Sequence, residues 1–500
     1  MGLDGAPATT LADLARRTGG RVEGDPGTGV TGMTHDSRRV EPGDLFAAVE
    51  GFELDGHDFV EAAVENGARA VMVSRIARGA VPARWPVPAL VVESVRAAMG
   101  PAAHAIYADP SREMTVVGIT GTNGKTTTAF LTAAALETRW ETATLGTLGV
   151  RRGERATETA FTTPEAPDLA RLLRELADDG VEAISMEVSS HAIALGRAAG
   201  IAFDAGVFTN LSPEHLDFHG SLEAYGETKL ELFRRLRQLD ALGVVNADDP
   251  WGERFVEEGP ERLWRFSLED PSAEVFAERL ELERDETRLT MRTPSGRIES
   301  RLALPGRFNA ANALAAAAVG VGLGADPGEV GDSLGSVERV PGRFEVRRGN
   351  GVTVVVDYAH TPVAFERILR TVREVGPRRL FCVFGCGGER DRRNRPEMGR
   401  IAGELAEVVF LTTDNPRREP LEEIMADVRE GLEGTSARWE RIDDRRTAIR
   451  RAIQEEAEPG DVVCLLGKGD ESYQWIGEEK LPWSDLEEAE KALASRGRAA

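Results

Sequence analysis

Cysteine is scarce, with three in 500 residues: Cys382, Cys386 and Cys464. An odd, sparse set excludes a disulfide framework. No second Cys/His pair stands at zinc spacing from Cys382 and Cys386, which argues against a structural zinc site. No uninterrupted apolar run reaches about 20 residues, so no membrane insertion is expected. The N-terminus shows no basic segment leading into an apolar one, and a cytoplasmic location is the expectation. Basic charge is in deficit too. The 61 Lys and Arg stand against 84 Asp and Glu, a formal −23. That excludes a general nucleic-acid binder, which needs a basic face for phosphates. An anionic ligand must then be met by a local cluster of Arg, Lys and backbone N–H groups. Internal repeats and low-complexity tracts are lacking as well.

What is present is an ordinary globular composition, 41% hydrophobic and 29% charged, long enough for about three domains. Residues 1–110 alternate short apolar runs with Gly-rich turns. Strands are expected at 44–49 and 70–73 with a short helix at 59–66, giving a small α/β module, and 108–113 is expected to be a linker. Residues 111–338 carry apolar runs at 114–119, 183–186, 205–208 and 242–245, separated by helical patterns. That rhythm implies βαβ units and a mostly parallel sheet. Residues 275–304 alternate as antiparallel strands, and an Ala-rich helix is expected over 310–321. A boundary falls near Arg339-Val-Pro-Gly-Arg343. Beyond it, over 339–500, strands at 352–356, 380–384, 408–412 and 462–466 read as a second doubly wound module. The tail, 486–500, reads as a solvated amphipathic helix. The fold class expected is α/β in three domains.

Gly121-Thr-Asn-Gly-Lys-Thr-Thr127 follows a strand and opens a helix at about 127–137. Glycines let backbone N–H groups crowd round phosphate oxygens, and the helix N-terminus adds a positive dipole. Lys125 would reach the β/γ-phosphates and the Thr126 hydroxyl would hold Mg2+. One departure from the general phosphate-loop pattern is Ile119, where a glycine is usual; Gly118 stands one position early.

The form Thr-Gly-Thr-Asn-Gly-Lys-Thr-Thr resembles the phosphate loop of the Mur ligases and of their relatives, the folylpolyglutamate synthetases. Further segments resemble the Mur ligases that add the third peptide residue. In the first domain these are Asp36-Ser-Arg-Arg-Val-Glu-Pro-Gly43 and Leu45-Phe46. In the second they are Thr162-Thr-Pro164, Met186-Glu-Val-Ser-Ser-His191, Arg197, Phe208-Thr-Asn-Leu-Ser-Pro-Glu-His-Leu-Asp-Phe-His-Gly220, Ala224-Tyr-Gly226, Lys229, Leu304-Pro-Gly-Arg-Phe-Asn309 and Asn312. In the third they are Gly342-Arg-Phe-Glu345, Asp357-Tyr-Ala-His-Thr-Pro362, Gly385-Cys-Gly-Gly388, Asp414-Asn-Pro-Arg417 and Gly467-Lys-Gly469. The resemblance covers nearly the whole chain. It implies an N-terminal uridine-binding domain, a central phosphate-loop ATPase-like domain and a C-terminal Rossmann-like domain.

It also implies an ATP- and Mg2+-dependent ligase of peptidoglycan synthesis, expected to be monomeric. ATP would phosphorylate the side-chain carboxylate of D-Glu in UDP-MurNAc-L-Ala-D-Glu, and an incoming amine would displace phosphate. Cations must then gather around the γ-phosphate. By the resemblance, Glu187, His215 and Lys229 join Thr126 at the metal, Lys229 as a CO2-derived carbamate. Read alone, Lys229 is a solvated lysine and His215 a structural hydrogen-bonder. Gly121, Thr122, Asn123, Gly124, Lys125, Thr126 and Thr127 would hold the phosphates. Asn309 and Asn312 would meet adenine, Asp357 the ribose and His360 the phosphates, with Arg343 reaching the γ-phosphate as the domains close. Ser37 would meet uracil. Thr162, Thr163, Ser189 and Arg197 would meet the sugar-peptide, the Arg fork suiting a carboxylate.

Asp414-Asn-Pro-Arg417 resembles the diaminopimelate-adding members. Arg417 would grip the distal carboxylate of meso-diaminopimelate, and Asp414 and Asn415 would accept from its ammonium. Pro416, Gly467, Glu471 and Arg390 complete that pocket. A lysine-adding version would place Arg417 against an ammonium. Asn394 stands where the family has lysine, with Arg392, Arg393 and Arg395 as replacement charge, and Asp470 stands where it has histidine. The spacer after Arg417 is one residue shorter. The remaining alternatives are a lysine-adding ligase, a folylpolyglutamate synthetase and a nucleotide-binding protein without turnover.

Overall fold

In the computed structural model, residues 8–51, 54–75, 85–283 and 286–496 are described. Three sheets organise them. The first has five strands in the order Arg21–Glu23, Ala89–Val92, Ala70–Ser74, Asp44–Ala47, Gly32–Thr34, parallel apart from the first pair. The helix Val95–Ile106 lays Met99, Ala102 and Ala103 on its core.

The central sheet has eleven strands. Its parallel heart runs Thr142–Gly146, Ala183–Glu187, Thr115–Thr120, Ala205–Phe208, Leu242–Asn246, Leu263–Ser267. The alternating segment forms the antiparallel strands Val275–Leu282, Thr287–Thr293 and Gly296–Leu302. The Ala-rich helix, Arg307–Gly322, is buried along nearly its whole length. A helix apolar on all sides must be enclosed, and this one lies against Lys125–Glu137 in a single core.

The third sheet runs Glu345–Gly349, Val352–Asp357, Val462–Leu466, Leu380–Phe384, Val408–Leu411, Arg438–Arg441, parallel after the first pair. Its strand C-termini point toward the central sheet's phosphate loop, where open α/β sheets bind ligands.

One sequence expectation is sharpened and one corrected. Residues 108–113 connect the helix Val95–Ile106 to the central sheet's strand Thr115–Thr120, and they are packed. Pro110 and Ser111 are buried in a short turn, Pro110–Arg112, and the Ser111 hydroxyl accepts from Ala202 N at 3.1 Å. The C-terminal helix, Asp485–Ser495, is not a solvated end. Asp485, Glu488, Ala489, Ala492 and Leu493 are buried, and Asp485 forms a fully buried pair with Arg445 at 2.6 Å. Residues 497–500 of the expected tail lie outside the described residues. Among those described, no helix is long and apolar enough to cross a membrane.

Candidate functional site

The strand Thr115–Thr120 ends in the phosphate loop, and the helix Lys125–Glu137 starts at its far side. Ile119 is still strand and fully buried, so the turn needs no glycine there. Gly124 caps the helix at φ +86°. A Cβ at Gly124 would meet Asn312 Oδ1 at 2.6 Å and would strain the backbone. Lys125 folds back, donating to Gly121 O at 2.9 Å and Thr122 O at 2.8 Å.

The loop opens into a 290 Å3 cavity lined by the segment from Thr122 to Thr127 and by Thr162, Glu187, Ser189, His215, Asn312, Arg343, Asp357 and His360, all named from sequence. Glu187 is 1% exposed, and its carboxylate accepts from Thr147 N at 2.9 Å and Thr147 Oγ1 at 3.3 Å. No Lys, Arg or His among the described residues pairs with it. Buried carboxylates are normally paired or bound to a cation, so Glu187 with the nearby Thr126 hydroxyl fits Mg2+, which takes few protein oxygens and fills its shell with phosphates and water. Among the described residues, no cluster of three or more His, Cys, Asp or Glu makes a self-contained metal cage.

Lys229 is 1% exposed, unlike the solvated lysine that the residue alone suggests. Its Nζ donates to Gly121 O at 2.8 Å. Burial, then Lys125, pushes its ammonium well below the ordinary pKa of 10.5. His215 sits at φ +54°, its ring edge-on to His191 at 4.6 Å. Burial drops its pKa to about 4, so at neutral pH its imidazole is an uncharged donor of lone pairs.

Several expected contacts are committed elsewhere. Thr163 is fully buried, its hydroxyl donating to Glu187 O at 2.8 Å. The Ser189 hydroxyl caps the helix Ser190–Ala194. Arg197 is bound to Glu165 at 2.9 Å and stacks 4.4 Å from the Phe161 ring. Asn309 donates to Pro305 O and accepts from Asn312 Nδ2; it braces Asn312, which alone of the two lines the cavity. The Asp357 carboxylate accepts from Phe344 N and Ala359 N, each at 2.7 Å. Ser37 begins the turn Ser37–Arg39, its carbonyl accepting from Asn66; Ser37 and Arg197 line neither this cavity nor the next.

The second cavity, 380 Å3, includes Arg390, Asp414, Asn415, Arg417, Gly467 and Glu471. Arg417 stacks 5.3 Å from the Trp475 ring and donates to Gly388 O. Burial, then Arg390, lowers its pKa. Arg390 and Arg417 give this cavity a cationic side, and Asp414 and Glu471, whose charges act on Arg417, give it an anionic one. Asp414 Oδ2 is buried without a partner, which suits an incoming ammonium. Asn415 differs from the expectation: its Oδ1 already accepts from Trp475 N at 2.8 Å and Lys468 Nζ at 2.9 Å, and its Nδ2 donates to Glu471 at 2.7 Å. Pro416 contributes a turn whose carbonyl accepts from Glu419 N. Asn394 lines the cavity together with Arg393 and Arg395, while Arg392 does not, and all three arginines are already ion-paired. Arg392 pairs with Asp427, Arg393 with Asp391, and Arg395 with Glu419 and Asp427.

Sequence reasoning left several lining residues unassigned. Glu214 is the foremost, standing 3.8 Å from His215 and 3.7 Å from His360. It lay in view within Pro-Glu-His. Tyr358 and Phe308 likewise lay inside quoted segments, whereas Thr147 carried no signal.

Family models match three segments: "Mur ligase family, catalytic domain" over 29–107, "Mur ligase middle domain" over 119–320, and "Mur ligase, glutamate ligase domain" over 342–469. Among curated relatives, a UDP-N-acetylmuramoyl-L-alanyl-D-glutamate--2,6-diaminopimelate ligase of Gloeobacter violaceus is 41% identical, covering 98% of this chain and 99% of its own. One of the same name from Streptomyces coelicolor is 42% identical over 97% and 96%. A solved structure of a ligase of that name superposes with a TM-score of 0.70 at 32% identity, covering 98% of this chain and 99% of its own. A MurF structure from Acinetobacter baumannii shares the fold, with a TM-score of 0.66 at 20% identity over 92% of this chain and 95% of its own. The chain belongs to the Mur ligase family.

Proposed function

We propose that this protein is the ATP-dependent ligase that adds meso-diaminopimelate to UDP-MurNAc-L-Ala-D-Glu in cytoplasmic peptidoglycan synthesis. The observation that carries this is a shared wall. Glu214, His215, Tyr358, His360, Thr361 and Arg390 line both the phosphate-loop cavity and the one holding the Arg390–Arg417 pair. A phosphoryl donor in one and an amine in the other meet across it.

The D-Glu carboxylate enters beside Thr162 and attacks the γ-phosphorus of ATP; the bond to ADP breaks and an acyl phosphate forms. Lys125 and Arg343 supply positive charge as the phosphoryl group moves. The neutral diaminopimelate amine then attacks the acyl carbon; a C–N bond forms, the acyl C–O bond to phosphate breaks, and one amine proton leaves with the inorganic phosphate. Arg417 and Arg390 take the distal carboxylate as charge-assisted hydrogen bonds, and Asp414 takes the neighbouring ammonium. Thr126 and Glu187 would hold Mg2+, with His215 beside them; the ion neutralises phosphate charge. Burial disfavours the Lys229 ammonium, and its neutral amine would offer a lone pair to CO2. A new N–C bond and loss of one proton would turn it into an anionic oxygen ligand for the same metal. Asn312 and Phe308 offer a wall for the adenine.

The paired arginines favour diaminopimelate over lysine, whose side chain ends in a cation. Phosphate release from ATP, with the UDP-MurNAc-dipeptide and either meso-diaminopimelate, L-lysine or no amino acid, tests this. Release with diaminopimelate alone is expected. Release with lysine overturns the pocket assignment, and no release in any arm, with Mg2+ and bicarbonate present, overturns the activity.

A further inference from the structure

We infer that Asp470 is the positioning residue that aims the Arg343 guanidinium at the phosphate loop. The inference rests on the proposed activity and on Arg343 meeting the phosphates.

Arg343 leaves the third sheet's side of the cleft and reaches the loop, its Nη2 lying 3.4 Å from Thr126 Oγ1. A long side chain holds such a pose only if it is fastened along its length. Its Nη1 donates to Asp470 Oδ1 at 2.9 Å and to Gly342 O at 3.2 Å, and its guanidinium lies 4.7 Å from the Tyr358 ring. Asp470 is the only carboxylate in salt-bridge contact with it among the described residues. The pair is mostly covered, with side chains 17% and 20% exposed, so it is little screened by salt.

The backbone supports the clamp. Gly342 stands at φ +67°, and a Cβ there would come within 2.2 Å of Asp470 N. The two turns therefore touch, and Asp470 cannot drift from Arg343. The same turn serves the second cavity: Glu471 accepts from Lys468 and Asn415 beside the amino-acid site. One short segment thus presents one carboxylate to the amino-acid pocket and the next to the phosphate arginine. A carboxylate is the group that can anchor a guanidinium by charge.

The test is a double-mutant cycle on the full-length protein, reading kcat, KM for ATP, KM for diaminopimelate and Tm. Asp470→Ala is expected to lower kcat roughly tenfold, with KM for diaminopimelate unchanged and Tm lowered because Arg343 loses its covered partner. Asp470→Asn keeps the acceptor without the charge and should fall between Ala and the wild type; it carries the test if Asp470→Ala misfolds. Arg343→Ala should lose more, and Arg343→Ala with Asp470→Ala no more than Arg343→Ala alone. A wild-type kcat in both Asp470 variants overturns the inference, as does multiplication of the two losses or an effect confined to KM for diaminopimelate. Full activity of Arg343→Ala instead overturns the assignment of Arg343 itself, and the inference with it.

Discussion

Replacing Arg417 by alanine is the sharpest perturbation of the amino-acid pocket, because its cost is tied to one substrate group. Arg417 lies in the left-handed region at φ +53°. Alanine also carries a Cβ, so the backbone strain is unchanged and the effect belongs to the side chain. That side chain is held over Trp475, with Arg390 as a like-charged neighbour. Arg417 is thus partly desolvated and held in place before substrate arrives. Truncating one member of a buried, hydrogen-bonded charge pair costs about 2–5 kcal/mol. Arg390 retains part of the carboxylate's binding, so the low end applies, about 2–3 kcal/mol. At about 1.36 kcal/mol per tenfold, kcat/KM for diaminopimelate should fall roughly 30- to 150-fold. Lysine offers no carboxylate, so any residual rate with lysine should hold or rise. Steady-state phosphate release with each amino acid measures both numbers. A diaminopimelate value within about threefold of wild type, or an equal fall for lysine, would show that Arg417 does not read the distal carboxylate.

Lys229→Met should abolish turnover yet raise Tm by about 2–4 °C, since a buried amine held off its charged state costs roughly 1 kcal/mol or more; calorimetry showing an unchanged or lower Tm would contradict the burial argument. His104 is 1% exposed, and desolvation drops its pKa from 6.5 to about 4. The unfolded chain therefore binds a proton below pH 6.5 that the folded one refuses, and stability is lost as pH falls from 6.5 toward 4. At most about 3 kcal/mol follows from that gap, and His104→Leu should flatten the wild-type loss in denaturant titrations across this window. Asp485→Ala strands the buried Arg445 and should destabilise the third domain by roughly 3–5 kcal/mol, seen as an early unfolding transition; a loss under about 1 kcal/mol would mean the pair is not buried in solution.

The apolar strands were legible because a parallel strand covered on both faces needs an unbroken apolar run. Val352–Asp357, Leu380–Phe384 and Val462–Leu466 all announce themselves that way. Edge strands do not. Arg438–Arg441 and Arg155–Thr157 are short, polar and largely exposed, and only pairing to a neighbour makes them strands. The hairpin of Tyr473–Ile476 and Glu479–Pro482 escaped notice for the same reason, although it supplies the Trp475 ring over Arg417. Charge misled at the C-terminus. Asp485 and Glu488 look solvated in sequence, yet their partners, Arg445 and Arg446, lie about forty positions upstream in another helix, and no local pattern reports that.

At the site, motif spacing located the residues better than it described their postures. A motif can require a polar residue because a ligand needs it or because buried backbone groups need it, and sequence alone does not separate the two. Buried polar atoms must find partners, so some of the expected ligand contacts turn out to satisfy the fold itself. Thr163 ties off the carbonyl at the end of the Glu187 strand, Asp357 closes the turn that starts with Arg343's own neighbour, and Asn415 fastens the Trp475 hairpin. By contrast, among the described residues Glu187 forms no salt bridge, Asp414 Oδ2 has no hydrogen-bond partner, and Arg417 has the like charge of Arg390 set against the carboxylates of Asp414 and Glu471. These are the places where the protein leaves an electrostatic need unmet, and each matches in sign a part of the substrates: a metal ion, an ammonium and a carboxylate. The division between satisfied and unsatisfied groups is therefore what distinguishes scaffold from proposed ligand-binding residue here, and it depends on distances that only the folded chain sets.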